Sequence, residues 1–230
     1  MPAVGSVCGR ETMATVTPIR PGQLIARLSA LLLDNAVPAT IVVVGLTVLI
    51  TAADLVSSGA EAMILSSVAS AVGQYLLLRN TLGRIGLLAE HPNRAIGSFI
   101  LASILIGLGL VLGVIALVIP VLILALRWTP ALPLVLGAER LNATDALEEA
   151  MRRTKGQALA ILPAFLLTVI PNVASVVLVI TEVADEAASP LAYGAINLLA
   201  NIGLVASIYL SVAVYQETLD PDRDVRAVFA

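Results

Sequence analysis

Long, uninterrupted apolar blocks joined by short polar connections dominate this 230-residue chain. The blocks are continuous, whereas the strands of a membrane barrel alternate apolar and polar residues. A helix needs about 20 apolar residues to cross ~30 Å of hydrocarbon. Only 13% of the residues are charged and the mean hydropathy is +0.99, while soluble domains are about 25% charged. The sequence therefore predicts an all-α, polytopic bundle of transmembrane helices.

The apolar blocks predict six spans in one transmembrane domain, residues 21–216. The spans cover residues 36–53, 62–78, 96–119, 121–137, 158–180 and 191–215. Residues 1–20 are predicted to be a disordered N-terminal tail, with the lone Cys8 exposed in it, and residues 217–230 a polar C-terminal tail.

Two amphipathic helices are predicted to lie on the cytoplasmic membrane surface. The first, "PGQLIARLSALLLDN", precedes the first span, and the second is "NATDALEEAMRRTKG". In the second, acidic residues come before basic ones, which complements the helix macrodipole. We expect ion pairs of Glu148 with Arg152 and of Glu149 with Arg153, four residues apart. Gly156 is placed to end this helix.

The stretch "VIPVLILALRWTPALPLVLGAER" decides between five spans and six, because Arg127 interrupts it. If a span ended at Arg127, the densest basic cluster of the chain would lie outside the cell. A hairpin turn at Pro120 gives six spans with both termini in the cytoplasm. Every lysine and arginine except Arg127 is then cytoplasmic, as the positive-inside rule favours. Pro130 and Pro133 should make the fourth span short and irregular.

Arg127 would then lie within the membrane, where an arginine at a span centre costs about 2.5–3.5 kcal/mol. One interpretation is structural: its guanidinium reaches the headgroups or the broken backbone near Pro130, and Trp128 anchors the interface. The other is functional: Arg127 binds an anionic group such as a lipid phosphate through its bidentate fork. The predicted lipid contacts are Arg127, Trp128, Glu139, Arg152 and Arg153.

The same region resembles a known bacterial membrane family. Its motifs occur in the order Ile119-Pro120, Arg127-Trp128, Glu139, Ala146-Leu147, Arg152-Arg153-Thr154 and Gly156. This order is similar to that of the six-span family related to the membrane domain of glycerophosphoryl diester phosphodiesterase. Val121 stands where that family usually has glycine, which puts the shape of the turn in doubt. The resemblance covers about residues 18–219 and implies six spans. It implies no phosphodiesterase activity, because that chemistry belongs to a separate soluble domain.

Further residues are predicted to shape the interior of the bundle. Gly109 and Gly113 form a GxxxG pair, which allows close helix packing. Asn172, Asn197 and Asn201 lie in the last two spans, where amides join helices or, alternatively, line a transport path. No carboxylate is evident within a span for coupling to protons or sodium.

These features favour a non-catalytic integral protein of the bacterial inner membrane, with a structural or anionic-lipid-interacting role. A component of a transport or lipid-translocation system is the alternative. We expect no enzymatic activity, metal or cofactor, since the single His91 has no nucleophile beside it. Membrane lipids are the expected partners, and a homo-oligomer or a second membrane protein stays open. Nucleic acid is not expected, because the chain has no basic stripe.

Overall fold

The computed structural model describes residues 19–56, 59–116, 118–183 and 189–219, so most of both predicted tails, including Cys8, lies outside the described residues. Within these ranges the chain is all-α, as predicted. The helices are α1 (Pro21–Asp34), α2 (Ala36–Val56), α3 (Ala60–Arg84), α4 (Ile96–Ala116), α5 (Val118–Trp128), α6 (Ala131–Leu136), α7 (Ala143–Arg153), α8 (Ala158–Leu178) and α9 (Pro190–Glu217). A 3-10 helix, Pro92–Ala95, precedes α4, and a π-helical turn, Val179–Val183, follows α8.

Four of the described helices are long and apolar enough to cross a membrane. They are α2, α3, α8 with its extension to Thr181, and α9. Large apolar side chains cover the outer faces of these helices; Val48 of α2, for example, is 64% exposed. Apolar faces of this extent require lipid or another membrane helix. The chain is therefore a multi-pass membrane protein.

The remaining apolar helices do not confirm six complete spans. Outside the four long helices, the described apolar segments are Ile96–Leu110 in α4 and Val121–Leu136 across α5 and α6. The α5 helix alone has 11 residues, which extends only about 17 Å at 1.5 Å per residue. The prediction of an irregular fourth span agrees with the break at Thr129–Pro130, which separates α5 from α6.

The hairpin between α4 and α5 reverses before Pro120. The α4 helix ends at Ala116 and α5 begins at Val118, so Pro120 occupies the first turn of α5, where proline is tolerated. Gly109 of α4 faces Trp128 of α5: a Cβ atom at Gly109 would lie 2.5 Å from the indole ring. The two helices therefore run back along each other, and residue 117 between them lies outside the described residues.

The last helix, α9, forms the centre of the bundle. In the 18-residue apolar segment of α9, 61% of the residues are buried, against 17–22% in the corresponding segments of α2, α3 and α8. It packs against α8, α2, α1, α3 and α6. Ser189 caps its start by accepting a hydrogen bond from the Ala192 amide, with Pro190 in the first position, an arrangement that suits helix N-termini. Because α9 contacts most of the other helices, its polar side chains can form hydrogen bonds to neighbouring helices.

The ends of several helices meet at one end of the bundle. Arg27 of α1 forms an ion pair with Glu217 of α9 at 3.1 Å. The loop after α3 bonds the end of α6, since the Ala138 amide donates to the Leu87 carbonyl at 3.0 Å. Tyr209 of α9 donates to the Asn35 carbonyl between α1 and α2 at 3.3 Å. We call this the basic end: the segments that converge here are α1, the last two turns of α3, residues 85–95, residues 127–157 and the end of α9.

All lysine and arginine residues in the described part of the chain belong to the basic end. They are Arg20, Arg27, Arg79, Arg84, Arg94, Arg127, Arg140, Arg152, Arg153 and Lys155. At the opposite end, α2 finishes, α3 begins and the π-helical turn follows α8. Asp54, Glu61 and Glu182 lie there, and the described residues include no lysine or arginine. We call this the acidic end.

The two predicted amphipathic helices are α1 and α7, and both lie at the basic end. Leu24, Leu28 and Leu31 form the buried stripe of α1, which packs mainly on α9 and α8. The buried stripe of α7 is made of alanines and packs on α6 and α4. The α7 helix ends at Arg153, and Gly156 follows with a φ of +78°, a backbone conformation that glycine adopts at little cost.

Candidate functional site

Arg127 lies at the end of α5 and at the basic end of the bundle, rather than midway along a span. The Oγ1 atom of Thr154, in the first residue after α7, donates to the Arg127 carbonyl at 3.1 Å. Thr154 is fully buried, so this contact fixes the end of α5 against the end of α7. Within the described chain, the Arg127 guanidinium forms no ion pair or hydrogen bond, and it is half-buried.

Trp128 packs back into the α4–α5 hairpin. Gly109 provides the space for its ring, so the predicted packing role of Gly109 has a definite partner. The surroundings of Gly113 lie outside what the structure describes. The Nε1 atom of Trp128 is buried and has no hydrogen-bond acceptor among the described residues. A buried donor of this kind calls for an explanation, because most such groups are paired.

Arg153 is the centre of a four-residue ion cluster, which also contains Glu139, Glu149 and Arg152. Its Nη2 atom lies 2.7 Å from Oε2 and 2.8 Å from Oε1 of Glu139. Its Nε atom donates to Oε1 of Glu149 at 2.6 Å. Arg152 binds both oxygens of Glu149, each at 2.7 Å. We call this set the ion cluster.

The ion cluster is mostly buried, apart from Arg152. The exposed fractions of the side chains are 7% for Glu139, 14% for Arg153, 17% for Glu149 and 67% for Arg152. Burial alone would raise the pKa of Glu149, but hydrogen bonds and positive charge from Arg152 and Arg153 outweigh it, so that pKa is lowered. Burial opposes the charge of Arg153, and its bonds to Glu149 and Glu139 overcome this and raise its pKa. With two carboxylates and two guanidinium groups, the cluster is neutral overall.

The ion pairs differ in part from those expected from the sequence. The pair of Glu149 with Arg153 is present, but Arg152 also binds Glu149, three residues away, rather than Glu148. The long-range partner is Glu139, one of the predicted lipid contacts, which binds Arg153. It comes from the loop after α6, where Arg140 adopts a φ of +49°. Sequence spacing holds no signal for a contact between residues 14 positions apart.

The predicted lipid contacts therefore fall into two groups. Glu139 and most of Arg153 are occupied by the ion cluster, although the Nη1 atom of Arg153 is buried with no acceptor among the described residues. The second group keeps hydrogen-bond donors that have no acceptor among the described residues; its members are Arg127, Trp128 and the exposed Arg152. The hydrogen bond from Thr154 to the Arg127 carbonyl links the end of α5, which carries Arg127 and Trp128, to the end of α7, which carries Arg152 and Arg153.

Asn197 and Asn201 lie on the face of α9 that contacts α2. The Nδ2 atom of Asn197 donates to Thr51 Oγ1 at 3.0 Å and to Asp54 Oδ2 at 2.9 Å. The Nδ2 atom of Asn201 donates to Thr47 Oγ1 at 3.2 Å. We call these five residues the amide ladder. Asp54, assigned to a loop by sequence, belongs instead to the last turn of α2.

Asn172 of α8 makes a different contact. Its Nδ2 atom donates to the Thr168 carbonyl at 3.3 Å, within its own helix. The same side-chain amide packs directly on Gly203 of α9, leaving no space for a Cβ atom there. Asn172 thus contributes to helix packing by its shape as well as by its hydrogen bond.

A cleft with a mainly apolar surface and several serine side chains opens between α3 and α4. It has a volume of about 480 Å³ and is lined by Ser66, Ser67, Ser70, Ala71, Gln74, Ile100, Ser103 and Ile104. The two helices meet beside it through Tyr75 and Phe99, whose ring centroids are 5.5 Å apart in an edge-to-face arrangement. Gly73 of α3, seven residues after Ser66, packs on Leu46 of α2, so α2 covers the edge of the serine face.

Comparison of the chain with protein-family models, with curated proteins and with solved structures finds no match.

Proposed function

We propose that this chain is a non-catalytic, six-span protein of the bacterial inner membrane that contacts anionic lipid headgroups at its basic end. The observation that carries the proposal is the separation of charge between the two ends of the bundle. Positively charged residues stay in the cytoplasm when loops are short. This favours a cytoplasmic basic end, with both termini on that side.

The direction of the helices in the bundle supports the proposed six-span topology. The α2, α4 and α8 helices start at the basic end, and α3 and α9 return to it. Since α5 runs back along α4, it returns as well, and α6 continues it into the buried part of the basic end. In this topology α5 forms the short fourth crossing and α6 follows it at the basic end, where Pro130 at the break between them is buried in protein.

Cysteine labelling tests this topology. Cys8 is replaced by serine, and single cysteines are introduced at Lys155, which is exposed at the basic end, or at Glu61, which is exposed at the acidic end. In intact cells, a membrane-impermeant maleimide should label the Glu61→Cys variant and leave the Lys155→Cys variant unlabelled until the membrane is opened. The opposite pattern would reverse the orientation, and labelling of both positions would exclude this topology.

The lipid contact rests on the unpaired donors near the end of α5. Arg127 and Arg152 can donate hydrogen bonds to phosphate oxygens, and guanidinium forks bind phosphate in a bidentate manner. Nη1 of Arg153 and Nε1 of Trp128 are buried, so a headgroup reaches these two donors only after the side chains around them move. The role of Glu139 is to hold Arg153 in position for this contact.

Mass spectrometry of lipids retained by the purified protein tests the site. Arg127→Gln should reduce retained phosphatidylglycerol several-fold relative to phosphatidylcholine in mixed-lipid nanodiscs. Arg94→Gln is the matched control, because it removes the same charge from an exposed arginine at the same end. An equal loss in both variants, or no loss in either, would show that Arg127 is structural and would reject the lipid site.

The family related to the membrane domain of glycerophosphoryl diester phosphodiesterase is proposed on the motif order of residues 119–156. Its support is the order and spacing of those residues. In the structure the motifs serve packing: Trp128 fills the α4–α5 hairpin, and Glu139 joins Arg153.

The cleft between α3 and α4 favours a second function, as a component of a lipid-translocation or transport system. Its surface is mainly apolar, but serine side chains and Gln74 line it, so a lipid headgroup could cross beside these side chains at lower cost than through lipid alone. A fluorescent-lipid scrambling assay in proteoliposomes tests this. Ser70→Leu should slow lipid transfer, whereas Ser29→Leu, on the exposed face of α1, should not. Transfer at the rate of empty liposomes would reject this function.

A further inference from the structure

The amide ladder contains a carboxylate that no cation of the described chain neutralises. Asp54 lies in the last turn of α2 and is half-buried. Its hydrogen-bond donor is the neutral amide of Asn197. The described residues of the acidic end include no lysine or arginine. An ionisable side chain in a membrane-spanning helix is costly, and such residues often mark ion sites.

One amide of α9 joins this carboxylate to a hydroxyl of the same helix, α2. Thr51 lies one turn before Asp54 on the same face of α2, and the Nδ2 atom of Asn197 lies 3.0 Å from its hydroxyl oxygen and 2.9 Å from the Asp54 carboxylate. Asn201, only 3% exposed, bonds Thr47 one turn further along both helices and so fixes the register. Carboxylate, hydroxyl and amide oxygens are the ligands that hard cations prefer.

From this arrangement we propose that Asp54, Thr51 and Asn197 form a binding site for a monovalent alkali cation such as Na⁺. One carboxylate with neutral oxygens is balanced by a single positive charge. The described residues bring together no group of three His, Cys, Asp or Glu side chains that would hold a more highly charged metal. The proposal is independent of the lipid site, which lies at the other end of the bundle.

The amide of Asn197 provides a physical means of coupling the cation to the helices. The oxygen and nitrogen of an asparagine amide exchange places when the group turns by 180°. The nitrogen donates hydrogen bonds, whereas the oxygen carries a partial negative charge and can bind a cation. Without the cation, Nδ2 donates to the two oxygens of α2. With the cation between the helices, Oδ1 turns toward α2 and becomes a ligand. Cation binding would thus strengthen the contact between α2 and the central helix α9.

Thermal unfolding of the purified protein in detergent tests the site. NaCl is titrated against choline chloride at constant ionic strength, so that general screening is the same in both series. Bound ligand raises the unfolding temperature, and we expect a Na⁺-specific rise of about 2–5 °C at saturation for a chain of this size. Asp54→Asn should abolish the rise, because it keeps the shape of the side chain and removes its charge.

Glu61→Gln is the matched control: Glu61 is an exposed carboxylate in the first turn of α3, at the same end of the bundle. This variant should keep the full rise. If Asp54→Asn does not fold, Thr51→Val, which removes one oxygen ligand, must weaken Na⁺ binding at least several-fold. Equal stabilisation by choline and Na⁺, or a rise that persists in Asp54→Asn or is unchanged in Thr51→Val, would overturn the proposal.

Discussion

The ion cluster and the amide ladder both join segments that are far apart in the sequence, through buried polar side chains of different chemistry. The ion cluster, at the basic end, uses two carboxylates and two guanidinium groups. The amide ladder, between two spanning helices, uses amides and hydroxyls with one carboxylate. Full charges are thus concentrated where water is near, and mostly neutral groups serve where a membrane surrounds the helices.

The two networks also differ in what else supports them. Leu46 and Ile50 pack in an apolar cluster on α2 close to the ladder, so α2 and α9 have contacts besides their hydrogen bonds. The ion cluster instead fixes the loop after α6 to the end of α7, and α7 offers mainly small alanines to its neighbours. Removing one charge of a buried pair leaves the other unpaired, at about 3–5 kcal/mol. Hydrogen bonds between membrane helices average about 0.6 kcal/mol.

The largest expected effect comes from breaking the ion cluster at its centre. Arg153→Met should destabilise the protein by about 3 kcal/mol, because Glu139 and Glu149 lose their buried partner. Arg152→Met is the control on the adjacent residue, and it should cost about 0–1 kcal/mol, since Arg152 is 67% exposed and exposed ion pairs contribute little. Chemical denaturation in detergent measures both. Equal losses would show that burial does not decide the strength of these pairs.

A close helix contact provides the next effect. Gly203→Ala should cost about 1–3 kcal/mol, because the new methyl group overlaps the Asn172 amide and forces α8 away from α9. Gly194→Ala, on the same helix, meets nothing within 4 Å and should be neutral or slightly stabilising. Thermal unfolding of the two variants separates packing from helix propensity. If both variants unfold alike, the approach of α8 to α9 is not limited by Gly203.

The sequence predicts the helical elements well because apolar content and helix length decide them. The last predicted span, residues 191–215, differs from α9, Pro190–Glu217, by one residue at its start and two at its end. Buried contacts are harder to predict. The α6 helix has six residues between Pro130 and Gly137, too few for a periodic pattern, although it lies among α7, α4, α9 and α3.

The candidate sites were only partly visible in the sequence for the same reason. Arg127 stands out because it interrupts an apolar block. Asp54 does not, because it follows one and therefore looks like a loop residue until the helix is seen to continue to Val56. The pairing of Glu139 with Arg153 depends on how the loop after α6 folds back, and local spacing carries no information about that.

The amide ladder should respond weakly to a single substitution. Asn201→Leu removes one interhelical hydrogen bond and keeps a similar volume, so we expect a loss of about 0.6 kcal/mol and at most about 1.7 kcal/mol. A double-mutant cycle with Thr47→Val isolates the contact, since the two residues bond directly. A coupling energy near that of the ion cluster would remove the distinction between charged and neutral networks in this protein.

The smallest effect concerns the pH dependence of the ion cluster. The pKa of Glu149 is lowered in the folded protein, while an unfolded glutamate titrates near 4.3. Glu149 therefore stabilises the fold above about pH 4.3, and this contribution is lost as the pH falls through the lowered folded pKa. In unfolding measured from pH 6 down to pH 3, Glu149→Gln should reduce the acid-induced loss of stability.

Glu148→Gln, one residue away and exposed, should keep the wild-type slope, because no ion pair to Glu148 exists among the described residues. A reduced slope in both variants would assign the pH dependence to the overall charge of α7 rather than to the geometry of the cluster.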